Sequence, residues 1–285
     1  MSKLFEEISF GNLTLKNRLA VAPMGTIHDR DGGISPAQRA YLVERAKGGF
    51  GLIYPSAHTV SDKYEHPHSS GNFLCNESHA QRLKLLADEV HQYGAKLAIQ
   101  LSPGYGRVNV GTPQTTIHVS ASAIPTFWHK DHLCKALTVE EIHELVADAG
   151  RAAKMAKDAG ADLLEVHAYG GYLLDQFISK QWNHREDEYG GSLENRAKFP
   201  IMILDAIRNR VGRKLLIEYR ISGSELTDGG FTPKDCIAFL KLVQDKIDIA
   251  HISCGSFYSE TEHIMHPNNF LLPGHNTYLA EYVKK

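Results

Sequence analysis

The chain is short of several features that would fix its class at once. It has no excess charge of either sign: 31 Lys and Arg against 33 Asp and Glu leave a net charge of −2 over 285 residues. With no basic tract longer than a few residues, it offers nucleic acid and anionic membrane surfaces little to hold, so neither is an expected partner. No apolar stretch approaches the length that spans a bilayer. The opening MSKLFEEISF is acidic where a signal peptide is basic and lacks an unbroken apolar stretch, which favours a cytoplasmic location. Cys75, Cys134, Cys236 and Cys254 are scattered without CxxC spacing, as idle thiols in a reducing compartment would be, and they offer no iron–sulfur ligand set. Linkers, internal repeats and low-complexity tracts are also missing. At 42% hydrophobic content the length allows one large barrel domain or two ordinary domains.

What the chain does have is alternation. FEEISFGNLTLKNR alternates apolar and polar residues about Gly11-Asn12 and predicts a hairpin placed to plug the lower end of a barrel. Six apolar runs then read as strands: LAVAPM, GLIYPS, KLAIQL, ADLLEVHA, KLLIEYR and IDIAHIS. Helical patterns separate them. Ser35-Pro36 and Thr232-Pro233 each place a capping residue before a proline at the first helical position, and Thr138 with Glu141 has capping-box spacing. Regular strand–helix alternation implies a parallel sheet, either closed into a barrel or doubly wound.

The segment 161–197 carries the chemistry. A strand-end histidine, His167, stands five residues before Tyr172, and a glycine-rich turn follows. In strand–helix barrels the catalytic groups gather at the strands' C-terminal ends, where the loops form one open face. A single His–Tyr pair is more often a satisfied core pair, so its neighbours decide the matter. Residues 102–137 form the longest stretch without periodicity and, with Phe127 and Trp128, read as an excursion over that face. The closest histidine pairs, His66-x-His68 and His129-x-x-His132, match neither the HExxH spacing nor a paired-cysteine site, so no metal is expected.

VHAYGGYLLDQF followed by NHREDEYGGSLENR resembles the signature of the Old Yellow Enzyme family, the FMN-dependent ene-reductases with their dienoyl-CoA reductase and bile-acid reductase relatives. LTLKNRLAVAPM, YLVERAKGGFGLIYPSAHTV, QLSPGYGR, EYRISGSE and HISCGSF resemble further family blocks in the same order. The resemblance implies a TIM-type (β/α) barrel with an N-terminal hairpin cap, one domain over 1–285, with FMN as cofactor and NADH or NADPH as reductant. Such a barrel has eight strand–helix units. Six are found, so the last two are expected to be missing: either the chain is a fragment of a longer protein or a partner segment completes it, and a homo-oligomer is a further expected partner.

Carried onto this chain, the resemblance places Pro23, Met24, Gly25, Ala57, Gln100 and Arg220 against the flavin, with His167 beside them. Gln100 can both donate to and accept from the pyrimidine edge, and Arg220 puts positive charge where the reduced ring gathers negative charge. His167 would donate to the carbonyl of an α,β-unsaturated substrate, and Tyr172 would protonate its α-carbon, since a phenol keeps its proton at neutral pH. Three positions depart from the family pattern. Gly170 stands where a second donor is usual, which leaves Tyr169 or another loop to compensate. Gly25 replaces a usual Thr or Cys, with Thr26 as substitute, and QLSPGYGR lacks the common histidine, so Arg107 receives no role. The NHREDEYGGSLENR tract reads as structural, with Ser192 as a cap and Asp187, Glu188, Glu194 and Arg196 as a network below the pocket. The alternative to an ene-reductase is a truncated or non-catalytic homologue that binds flavin weakly.

Overall fold

The computed structural model describes residues 3–25, 28–65, 71–258, 265 and 271–285. The hairpin forms as expected. β1 (Ile8–Phe10) pairs antiparallel with β2 (Leu13–Leu15), Phe10 opposite Leu13, and Gly11 takes a φ of 54°. Leu13 and Leu15 bury against Leu52, Ala98, Leu163 and Leu216, closing the N-terminal end of the strands that follow.

Those strands alternate with helices in the predicted order. β3 (Ala20–Val21) leads to α1 (Pro36–Lys47), capped by Ser35, whose Oγ accepts from the Gln38 amide at 3.0 Å. β4 (Leu52–Ile53) is followed by two short strands, β5 (His58–Thr59) and β6 (Asn72–Phe73), then α2 (Glu77–His91) and β7 (Lys96–Ser102). The excursion after β7 contains a parallel pair, β8 (Val119–Ser120) and β9 (Lys135–Ala136), and ends at α3 (Val139–Asp158). The Thr138–Glu141 capping box is present at its start. β10 (Leu163–Ala168), α4 (Leu173–Ile178), α5 (Leu193–Val211), β11 (Leu216–Ser222), α6 (Pro233–Val243), β12 (Ile249–Ser253) and α7 (Thr277–Lys284) complete the order. The four short strands β5, β6, β8 and β9 were not foreseen, because two-residue pairings leave no periodic signal.

Eight strands form one parallel sheet: six run in the order β12-β11-β10-β7-β4-β3, β5 also pairs with β7, and β6 pairs with β5. It curls strongly. Three strand spacings separate β4 from β11, about 14 Å across a flat sheet. Yet the hydroxyl of Tyr54, one residue past β4, donates to Glu218 Oε2 on β11. That bond exists only because the sheet bends towards closure, giving the barrel-type curvature of this fold class. Among the described residues β3 and β12 pair with no further strand, so the sheet is open between them. Its convex face, carrying Ile99, Leu101, Leu164, Val166, Ile217 and Tyr219, packs under the helices in the main core.

Candidate active site

Strand alternation points every second residue of β7, β10 and β11 into the concave side. Register then stacks them: Gln100 lies opposite Glu165, and His167 opposite Arg220. After Ala168 the chain must turn sharply, and Gly170 (φ 69°) and Gly171 (φ 82°) supply the left-handed angles that other residues avoid. The turn is pinned from three sides. Gly170 N donates to Ser222 Oγ at 2.9 Å, Phe257 N donates to Gly170 O at 2.9 Å, and Gly171 N donates to Asp175 Oδ2 at 2.6 Å. It delivers Tyr172 to the start of α4, with its ring centroid 4.3 Å from that of His167. Tyr105 and Tyr169 meet the pair edge-on, Tyr105 at 5.5 Å from Tyr172 and Tyr169 at 5.3 Å from His167.

A cavity of about 530 Å³ opens over this cluster. Pro23, Met24, Gly25, Ala57, Gln100, His167, Tyr172 and Arg220, the site residues named from the sequence, all line it. Thr26, also predicted, lies outside the described residues, as do His66 and His68. Ala22, Tyr105, Tyr169 and Met265 line the cavity too. Of these Tyr169 had been weighed, and Tyr105 was legible only as the aromatic in the Gly-Tyr-Gly after β7. Met265 gave no signal, because its approach depends on loop packing after β12.

The cavity's electrostatics follow from burial. His167 is held down to about 3, first because its buried ring disfavours charge and second because Arg220 is near, so the imidazole is neutral. Its Nδ1 lies 3.3 Å from Ser102 Oγ. Burial, reinforced by the neighbouring Tyr169 and Tyr105, raises the Tyr172 phenol and keeps it protonated. The Arg220 guanidinium lies over the Tyr169 ring at 3.7 Å, and its Nε is buried without a hydrogen-bond partner. The Gln100 amide donates through Nε2 to Glu165 Oε1. A flat polar ring with acceptors at one edge fits this wall, since it would satisfy the orphaned Nε of Arg220 and meet Gln100.

Gly170 is a built feature of the site. A Cβ there would stand 2.7 Å from Met265 Sδ, besides suffering the positive φ, so the thioether occupies the space of the usual second donor. Arg107, given no role from the sequence, is structural. It donates to Phe257 O at 2.8 Å and Pro125 O at 3.3 Å and lies 4.1 Å from the Trp182 ring centroid, tying the 102–137 excursion to the loop after β12.

The 183–196 tract is also structural, but its bonds differ from the expected network. Asp187 pairs with Arg185 and Glu188 with Lys198, while buried Arg196 donates to the carbonyls of Ile178 and Gly191. Carbonyls exposed by the turn before α5 recruit the guanidinium, leaving the acids to surface partners. His129 and His132 are half-buried against His118. Among the described residues, Glu165, Glu218 and His251 form the one trio whose potential ligand atoms lie within 4.8 Å, gathered from three strands. A further cavity of about 460 Å³ lies between that trio and the hairpin, lined mostly by apolar residues such as Phe10, Leu13, Leu15, Leu52 and Leu163, with Glu218 and His251 also at its wall.

Residues 3–264 match the model of the NADH:flavin oxidoreductase / NADH oxidase family. The chain is 38% identical over 231 residues to a cinnamate reductase of Clostridium sporogenes, covering 77% of this chain and 34% of the relative. With an NADPH dehydrogenase of Clostridium acetobutylicum it shares 34% identity, covering 99% of this chain and 80% of the relative. The structure of a 2-naphthoyl-CoA reductase in complex with 2-naphthoyl-CoA superposes with a TM-score of 0.83 at 30% identity, over 99% of this chain and 44% of that one. The chain thus spans about a third of the first relative and under half of the naphthoyl-CoA reductase. Family match, barrel-type curvature and strand-end site agree, and this chain belongs to the NADH:flavin oxidoreductase / NADH oxidase family, the family of the Old Yellow Enzyme.

Proposed function

We propose that this chain, as one barrel domain, is an FMN-dependent ene-reductase that reduces the C=C bond of an α,β-unsaturated carbonyl compound at the cavity above β10. The observation that carries this reading is the 4.3 Å approach of the His167 and Tyr172 rings at a cavity also lined by Gln100 and Arg220. When bound, the flavin supplies the hydride, which it takes from NADH or NADPH.

The protein's residues do the rest. Pro23, Met24, Gly25 and Ala57 would hold the flat ring against one wall, with Gln100 available to its pyrimidine edge. Arg220 would offer positive charge to the reduced ring. His167, neutral and with Nδ1 facing Ser102, donates from Nε2 to the substrate carbonyl, where negative charge grows as hydride reaches the β-carbon. Tyr172 then gives its phenolic proton to the α-carbon, and solvent reprotonates it.

With Met265 in the place of a second donor, turnover should fall on the order of a hundredfold below that of a two-donor site. The aromatic wall of Tyr105, Tyr169 and Tyr172 favours a planar conjugated substrate, in keeping with the cinnamate and 2-naphthoyl-CoA in the names of two relatives. Anaerobic titration of FMN-incubated protein with NADH and NADPH, followed by a panel of enones, aryl enoates and aryl enoyl thioesters, tests the proposal. Visible flavin absorbance that bleaches with reductant and returns with substrate supports it. Failure to take up FMN would leave the weakly binding, non-catalytic alternative standing.

A further inference from the structure

Immediately below the cavity floor, the concave side of the sheet carries a layer of polar groups where a barrel interior ordinarily holds branched apolar side chains. Gln100, Glu165, Glu218 and His251 come from four adjacent strands, and Tyr54 joins them from beyond β4. Glu165 stands at the centre and is fully buried. Its Oε1 accepts from Gln100 Nε2, and its Oε2 lies 2.7 Å from His251 Nδ1. Glu218 accepts from the Tyr54 hydroxyl on one oxygen, and its other oxygen is 3.5 Å from the same His251 nitrogen. Two carboxyl groups on neighbouring strands cost stability through desolvation and mutual repulsion, whereas the layer beneath, with Leu13, Leu15, Leu52, Leu163 and Leu216, is apolar.

The layer acts on Gln100. A side-chain amide left alone can present either its NH2 or its carbonyl oxygen to a ligand. Glu165 takes the Gln100 NH2 on Oε1 while its Oε2 lies against His251 Nδ1, and so it holds the NH2 end of Gln100 downward. Among the described residues the side-chain hydrogen bond of Gln100 is made by Nε2, and the residue lines the cavity, which leaves Oε1 for it. We propose that Glu165 is a positioning residue that fixes the Gln100 amide with its carbonyl oxygen towards the cavity, so that the ring bound there must offer an N–H donor at that point. Resting on the flavin reading above, this selects the imide N3–H of the flavin pyrimidine.

The test compares the affinity of FMN with that of N3-methyl-FMN, which has no donor at that atom, in the wild type and in Glu165→Gln. The steric cost of the methyl group is common to both proteins and cancels in the ratio. Because the new amide at position 165 can donate as well as accept, Gln100 is free to turn, and the preference for FMN should fall about tenfold, the worth of one hydrogen bond. A purely structural role for Glu165 would change both affinities together and leave the ratio alone. An unchanged ratio in a folded variant overturns the proposal.

Should the variant not fold, 15N-labelled FMN on the wild type decides. An N3–H slowed in solvent exchange relative to free FMN supports the assignment, and one that exchanges as in free FMN overturns it. If the wild type takes up no FMN, the flavin reading fails and this inference with it. If FMN binds with an unaltered ratio, this inference alone fails.

Discussion

On β10, Leu164, Val166 and Ala168 point out under the helices into a fully apolar core, whereas Glu165 and His167, one residue out of step, point into the concave side. The same contrast runs along β7, with Ile99 outside and Gln100 inside, and along β11, with Ile217 and Tyr219 outside and Glu218 and Arg220 inside. One face holds the fold together by burial, and the other holds the groups proposed to act on a ligand. The period of two lets a single strand carry both without compromise.

The sharpest way to separate the two faces is to alter one at a time. Tyr172→Phe, on the concave side, should lower turnover of the unsaturated carbonyl about 10²- to 10⁴-fold, while flavin reduction by NADH or NADPH stays near the wild-type rate. Stopped-flow measurement of the two half-reactions checks this, and full substrate turnover by the variant would remove Tyr172 as proton donor. Leu164→Ala, on the convex side, should do the reverse. It empties a fully buried site and should cost about 2–5 kcal/mol in urea unfolding, with flavin chemistry per folded molecule unchanged.

Smaller changes refine the contrast. Thr138→Ala removes the cap of α3 and should cost about 1 kcal/mol, again without touching the cavity. The last prediction concerns a buried acid near the active end. Glu65 accepts from the Tyr105 amide at 2.7 Å, and burial pushes its carboxyl up to about 8. The folded state therefore keeps a proton that the unfolded chain releases near the ordinary carboxyl range. Stability should fall as pH rises from about 4.5 to 8, where the unfolded state binds fewer protons than the folded one. Glu65→Gln should flatten that dependence in melting curves recorded from pH 5 to 9, and an equal slope in variant and wild type would refute the assignment.

Much of this was legible in one dimension. The six apolar runs, the hairpin about Gly11-Asn12 and the caps at Ser35, Thr138, Ser192 and Thr232 are local signals, and the structure repeats them. The cavity lining from Pro23 to Arg220 was legible only through the family resemblance, which named those positions one by one, and the structure sets them round one cavity. What was missed depends on contact between distant segments. Met265 over Gly170, His118 beneath His129 and His132, and Arg196 bound to carbonyls rather than to acids are outcomes of how loops settle on the sheet.

The sequence by itself determined where strands and helices begin, which face of each strand is apolar, and that an imidazole and a phenol sit five residues apart at a strand end. These are set by nearest-neighbour backbone preferences and by periodicities of 2 and 3.6, which act within a few residues. Only the tertiary structure decided that the sheet curls far enough for Tyr54 to reach Glu218, that Glu165 takes hold of Gln100, and that a thioether fills the place of a second donor. Those outcomes turn on twist accumulated over several strands and on packing between residues far apart in the chain, to which no local pattern is sensitive.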